Sequence, residues 1–140
     1  MTKLLLDDAK ERTPYNIYCY MKDPIYLEEG WQTVRSYDEF VKFIIELYEK
    51  EKVLPSVISF DHDLADEHYR AFMLDNIVDY SKFKEKTGVS CAKWFVEFCI
   101  DNNLDPLSSI IKIHTMNPVG LDNIRSIFNT YQKMKDKGYF

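Results

Sequence analysis

Val57-Ile58-Ser59-Phe60 runs straight into Asp61-His62-Asp63-Leu64, and that junction limits the folds open to the chain. A mostly apolar run of this length, with Pro55 before it and charge after it, reads as a strand buried on both faces. Strands of that kind belong to parallel sheets packed between helices, which makes the expected class α/β. Open parallel sheets take ligands in the crevice beyond the carboxyl ends of their strands. Alternate side chains of an extended chain share a face, so Asp61 and Asp63 point one way and His62 the other. The junction is therefore a candidate metal or acid–base site, although Asp-x-Asp alone is a weak motif.

The rest of the chain supplies partners for it. Lys3-Leu4-Leu5-Leu6 is a first strand ending in Asp7-Asp8, which reads either as a helix N-cap or as a second acidic strand tip. Residues 13–32 carry Tyr15, Tyr18, Tyr20, Tyr26 and Trp31 among Pro14, Pro24 and Gly30, without helical period. They read as an irregular aromatic excursion packing over the sheet edge, with one or two rings free to stack on a base. Thr33-Val34-Arg35 is a short second strand, and Ser36 with Glu39 forms a capping box that opens a helix with Phe40, Ile44, Leu47 and Tyr48 inward. Residues 65–87 form a polar insertion with Lys82, Lys84 and Lys86 near its end, a solvated face or a phosphate contact, and long enough to act as a lid. From Gly88, the residues Ala92, Phe95, Val96 and Cys99 mark an amphipathic helix. Ile110-Ile111-Lys112-Ile113 is a fourth strand ending in His114-Thr115. Asn117 and Pro118 then cap and start a last helix, with Ile124, Ile127, Phe128, Tyr131 and Met134 as its buried stripe.

At 140 residues the chain is read as a single domain spanning 1–140, with 46% apolar and 29% charged residues in the ordinary globular range. A net charge of −5 argues against a duplex-DNA footprint, while leaving room for a small nucleotide or one RNA end at a local site. Cys19, Cys91 and Cys99 include no C-x-x-C, so free thiols are expected rather than a zinc or disulfide framework. With no signal peptide and no apolar run near the length of a membrane span, a cytoplasmic chain is expected.

If the strand order is 2-1-3-4, Asp7, Asp8, Asp61, Asp63 and His114 converge on one crevice. Two like charges 4 Å apart cost about 4 kcal/mol at an effective dielectric near 20, so such a cluster takes up protons or a cation. Oxygen ligands suit Mg²⁺ or Mn²⁺, and a histidine tilts the choice toward Mn²⁺. His114 is a candidate acid, base or ligand, against the simpler reading of a hydrogen-bonded structural histidine. His62 reads equally as strand-end packing or as part of the site. Asn117 has its capping role, yet leaves a helix N-terminus at the crevice mouth, where phosphate is favoured. Arg12 is the nearest fixed cation, or else a surface salt bridge.

Taken together, Leu4 to Asp8, Arg12 and Pro14, Trp31 to Ser36, Phe60-Asp61-His62-Asp63-Leu64, Thr87-Gly88 and His114-Thr115-Met116-Asn117-Pro118-Val119-Gly120 form an ordered set. The chain resembles the cyclic-phosphate processing receiver-like domain family, found largely in phage and bacterial proteins. The resemblance implies a receiver-like (flavodoxin-like) three-layer sandwich with a mainly parallel four-stranded sheet, order 2-1-3-4, lacking the usual fifth strand. It also implies metal-dependent processing of a cyclic nucleotide or an RNA 2′,3′-cyclic phosphate end. Asp7, Asp8, Asp61 and Asp63 would hold the metal, with Asp61 and His114 catalytic. Arg12, His62, Thr115 and Asn117 would contact substrate, Thr115 keeping the hydroxyl of an expected serine. Two rivals stand beside this reading. One is a phospho-accepting receiver with Asp61 as acceptor, which also needs a lysine on a fifth strand. The other is a non-catalytic nucleotide- or protein-binding module.

Overall fold

The structure is a computed structural model, and residues 1–61 and 87–140 are described. His62, Asp63 and nearly all of the expected 65–87 insertion lie outside the described residues.

Four short strands form one sheet in the order β2-β1-β3-β4: β1 (Lys3–Leu6), β2 (Trp31–Val34), β3 (Val57–Phe60) and β4 (Ile110–Ile113). Every pairing is parallel, and the registers Lys3↔Trp31, Lys3↔Val57 and Val57↔Ile110 bring the carboxyl ends of the strands level. The fold is the α/β, receiver-like one expected. Each strand is connected through helical turns: α1 (Pro14–Met21) and a 3₁₀ turn (Pro24–Leu27) precede β2, and α2 (Tyr37–Glu51) precedes β3. Helix α3 (Gly88–Asp101) and a second 3₁₀ turn (Pro106–Ser108) precede β4, and α4 (Pro118–Asp136) follows it.

The alternation of strand side chains divides the core unequally. Leu4, Leu6, Ile58 and Phe60 face α2, α3 and α4, where they pack with Phe40, Ile44, Phe95, Cys99, Ile124 and Phe128. This is the larger core, and burying a Leu, Ile or Phe side chain contributes roughly 1.5–3 kcal/mol. Leu5 faces the other way into a small cluster with Ile17 of α1 and Tyr26. By the same alternation Asp7, Ser59, Asp61, Lys112 and His114 belong to the α1 face.

Residues 13–32 correct the expectation of an irregular excursion. Pro14 occupies the first turn of a helix, where no N–H is needed. Thr13 caps the helix: its Oγ accepts from the Asn16 amide at 3.3 Å, and Asn16 Oδ1 accepts from the Thr13 amide at 2.9 Å. The helix ends at Lys22, whose left-handed φ of 58° lets its amide reach the Tyr18 carbonyl. Of the aromatic residues in this stretch, Tyr26 is buried with Leu5 and Ile17 and stacks on Trp31 with ring centroids 5.4 Å apart. Strand β2 begins at Trp31, two residues earlier than its β-branched residues suggested, and Arg35 lies beyond its end.

Candidate functional site

The tips of β1, β3 and β4 bring three of the expected residues together. One donor atom from each of Asp7, Asp61 and His114 lies within 4.8 Å of the other two, and all three residues are buried. Parallel pairing continues one residue past each strand, with the Asp61 amide donating to the Leu6 carbonyl at 3.1 Å and the His114 amide to Phe60 at 3.0 Å. Those two bonds fix the heights of the site residues relative to one another.

Asp7 is the hub. Its Oδ1 accepts from the Ala9 amide at 2.9 Å, and its Oδ2 lies 3.0 Å from His114 Nε2 and 3.0 Å from Arg12 Nη1. The same Arg12 nitrogen is 4.0 Å from Asp61 Oδ2, so one guanidinium sits between two carboxylates. Burial pushes the Asp7 pKa up, but the His114 hydrogen bond, the Ala9 amide and the neighbouring positive charge together bring it below the ordinary value. Asp7 is thus an ionised acceptor, and its proximity raises the Arg12 pKa despite partial burial. For His114 burial dominates, with the Arg12 charge acting the same way, and the pKa falls although Asp7 opposes it.

Four residues outside the candidate site set named from the sequence complete the site. Ser59 Oγ is 2.7 Å from His114 Nδ1, and Tyr26 Oη is 2.7 Å from Ser59 Oγ. Tyr20 donates its hydroxyl to the His114 carbonyl at 2.9 Å. Its pKa is pushed up to about 12, chiefly by burial, which Arg12 opposes and the Asp7 and Asp61 charges support, so it stays a donor. Arg35 donates to the carbonyls of Asp7, Ala9 and Arg12 and thereby gathers the loop that carries both Asp7 and Arg12. Ser59 had one available signal: it stands two residues before Asp61, hence on the same strand face.

The other expected residues take different places. Asp8 is half-buried beside Asp7 and outside the group of three. Asn117 caps α4, its Oδ1 accepting from the Val119 and Gly120 amides at 3.0 and 3.3 Å. Thr115 Oγ1 accepts from the Asn117 amide at 3.2 Å, tightening the turn into that cap. Asp7, Asp61 and His114 each offer one ligand atom at a spacing that suits a metal ion.

A sheet of order 2-1-3-4 with an acidic crevice at its carboxyl edge defines a receiver-like domain. The family model of the cyclic-phosphate processing Receiver domain matches residues 2–130, and the chain belongs to that family. No curated protein and no solved structure matches the chain. No helix among the described residues is long and apolar enough to cross a membrane.

Proposed function

We propose that this domain opens a cyclic phosphate, on a small nucleotide or an RNA end, in a reaction that depends on a divalent cation. The observation that carries the reading is the convergence of Asp7, Asp61 and His114 from three adjacent strand tips, with Arg12 between the carboxylates. Buried acidic groups this close are costly without a compensating cation, and a cyclic phosphodiester brings an anion that needs the same cation. Family membership adds the substrate class.

In this reading Asp7 and Asp61 hold the cation, with Asp8 and Asp63 as the further carboxylates expected from the sequence. A bound Mg²⁺ or Mn²⁺ would supply charge neutralisation at the phosphate oxygens and a water of lowered pKa. Arg12, part-exposed with one guanidinium nitrogen on Asp7, turns its remaining donors toward the phosphate. His114 is 1% exposed, and its Nε2 lies 3.0 Å from Asp7 Oδ2, against which it holds a proton. Tyr20 keeps its hydroxyl protonated at the rim, where its second lone pair accepts from a substrate hydroxyl.

Incubating the protein with a panel of 2′,3′-cyclic nucleotides, with and without Mn²⁺ or Mg²⁺, tests the reading. Cation-dependent ring opening that Asp61→Asn abolishes is the expected result. No ring opening, together with stable labelling of Asp61 by a small phosphodonor, would sink it in favour of a phospho-accepting receiver.

A further inference from the structure

Four polar side chains run in series through the α1 face: Tyr26, Ser59, His114 and Asp7 are 2%, 0%, 1% and 0% exposed. The links are 2.7 Å from Tyr26 Oη to Ser59 Oγ, 2.7 Å from Ser59 Oγ to His114 Nδ1, and 3.0 Å from His114 Nε2 to Asp7 Oδ2. Buried polar groups are normally satisfied, and the three hydrogens of Tyr26, Ser59 and a neutral imidazole are the number that fills these three links.

At one end, Asp7 receives the Ala9 amide and Arg12, which leaves its carboxylate an acceptor only. His114 Nε2 must therefore carry the hydrogen. A neutral imidazole has one N–H, so Nδ1 is an acceptor and the Ser59 hydroxyl donates to it. The Ser59 oxygen is then free to accept from Tyr26. At that end the Tyr26 ring is held by its stack on Trp31, whose indole N–H donates to the Ile25 carbonyl at 3.2 Å. An imidazolium would reverse this order, turning the Ser59 hydroxyl onto Tyr26 and displacing the Tyr26 hydrogen from the series.

Ser59, His114 and Asp7 have the residue types of a nucleophilic triad, but the geometry excludes that role. Ser59 has no exposed surface and its oxygen is engaged on both sides, so no phosphorus atom can reach it.

We propose that Ser59 and Tyr26 are positioning residues, a buried hydroxyl chain that locks His114 as the Nε2–H tautomer and so keeps it a donor to Asp7 rather than a metal ligand. This rests on the cyclic-phosphate reading only for what it does to the cation site. There the ligand set becomes carboxylate, with His114 orienting the Asp7 oxygen pair. Partners that hold metal ligands in place are typically worth 10–100-fold in metal affinity.

Long-range ¹H–¹⁵N spectra of ¹⁵N-histidine protein, free of metal, read the tautomer directly, with the His114 signals assigned by their loss in His114→Gln. The expected wild-type pattern is a protonated Nε2 and an unprotonated Nδ1. Ser59→Ala should give a tautomer mixture and weaken Mn²⁺ binding at least about 10-fold. Tyr26→Phe keeps the Ser59 hydroxyl and removes a single oxygen, so it should fold and still show a mixture. An Nδ1–H or doubly protonated His114 in the wild type overturns the proposal, as does a pure Nε2–H form in both variants. If the tautomer pattern and its loss appear but the wild type binds no Mn²⁺ and opens no cyclic phosphate, the hydroxyl chain stands and the functional reading falls.

Discussion

Arg35 offers the sharpest test of how the site is built, because it touches neither the carboxylate oxygens nor the imidazole. It follows edge strand β2, and its guanidinium reaches over to the loop after β1. Nη1 donates to the carbonyls of Asp7 at 3.2 Å, Ala9 and Arg12 at 3.3 Å, and Nη2 adds a second bond to Arg12 at 3.3 Å. Hydrogen bonds to a charged group contribute roughly 1.5–3 kcal/mol each. One nitrogen shared among three acceptors at a half-buried site cannot give three full bonds, so Arg35→Ala should cost about 2–4 kcal/mol. Arg35→Lys keeps the charge but not the fork, and should recover no more than about half of that loss. Urea unfolding followed by circular dichroism reads both values through linear extrapolation. Since the gathered loop carries Asp7 and Arg12, Mn²⁺ affinity should fall at least about 10-fold in Arg35→Ala, measured by calorimetry on protein that is still folded. A change below about 0.5 kcal/mol would put Arg35 among ordinary surface substitutions and refute the reasoning. Full recovery by lysine would refute the geometric part of it.

Two further outcomes follow from the same geometry. Metal-free protein should lose stability on acidification. The folded His114 pKa lies below its unfolded value of ~6.5, so this contribution is complete above that pH and declines below it, at up to ~1.4 kcal/mol per pH unit. Asp7, also lowered, adds a loss only once the pH passes below the unfolded carboxylate value of ~3.9. Urea midpoints from pH 7.5 to 5 check the first phase, which His114→Gln should flatten; an unchanged slope in that variant would assign the loss elsewhere. Gly30→Ala should cost about 2 kcal/mol or more, because φ is +95° and the new Cβ would lie 2.5 Å from the Met1 carbonyl oxygen beside β1. Gly138→Ala, at φ +86° with nothing within 4 Å of the added atom, carries only the backbone cost of about 1 kcal/mol. Equal thermal shifts in the two variants would remove the steric argument.

The parts of this fold visible in the sequence are those where one local pattern decides the outcome. Apolar runs ending in Asp7-Asp8, Asp61 and His114 mark strand tips because a buried parallel strand has few other sequence forms. Ser36 with Glu39 and Asn117 with Pro118 mark helix starts: Ser36 and Asn117 are the N-caps, although the Glu39 carboxylate accepts from the Arg35 amide at 3.4 Å instead of closing the expected capping box on the Ser36 amide. Helix α1 was hidden because it buries only Ile17, so it has almost no apolar stripe to detect. Its proline also has opposite meanings at a first turn and in a helix interior. Ser59 was passed over as one polar residue in an apolar run, although its parity with Asp61 was available. Arg35 left no local trace at all: its role depends on β2 lying beside β1, which only the folded sheet provides.

The strand order explains why chemistry sits on the α1 face. The chain leaves β1 toward β2 on one side and returns to β3 and β4 on the other, so right-handed crossovers put α1 on one face and α2 and α3 on the opposite one. Helix α4 joins the second group, where Ile124, Phe128 and Tyr131 enter the large core. Among the described residues, the first face is covered by α1 and one 3₁₀ turn, with Leu5, Ile17 and Tyr26 buried there and Tyr18, Ile25 and Trp31 packed against them. Polar links add to that packing: Tyr20 to the His114 carbonyl, Tyr26 to Ser59, and Asp23 to Lys112 at 2.9 Å. Each ties α1 or its turn to β3 or β4. Filling the face with apolar side chains would close the crevice between the β1 and β3 tips, the topological switch point where ligands enter such sheets. Polar links among the described residues hold α1 and its turn to β3 and β4 while leaving Asp7 and Asp61 beside a part-exposed Arg12, so the attachment of this face and the site share the same strand tips.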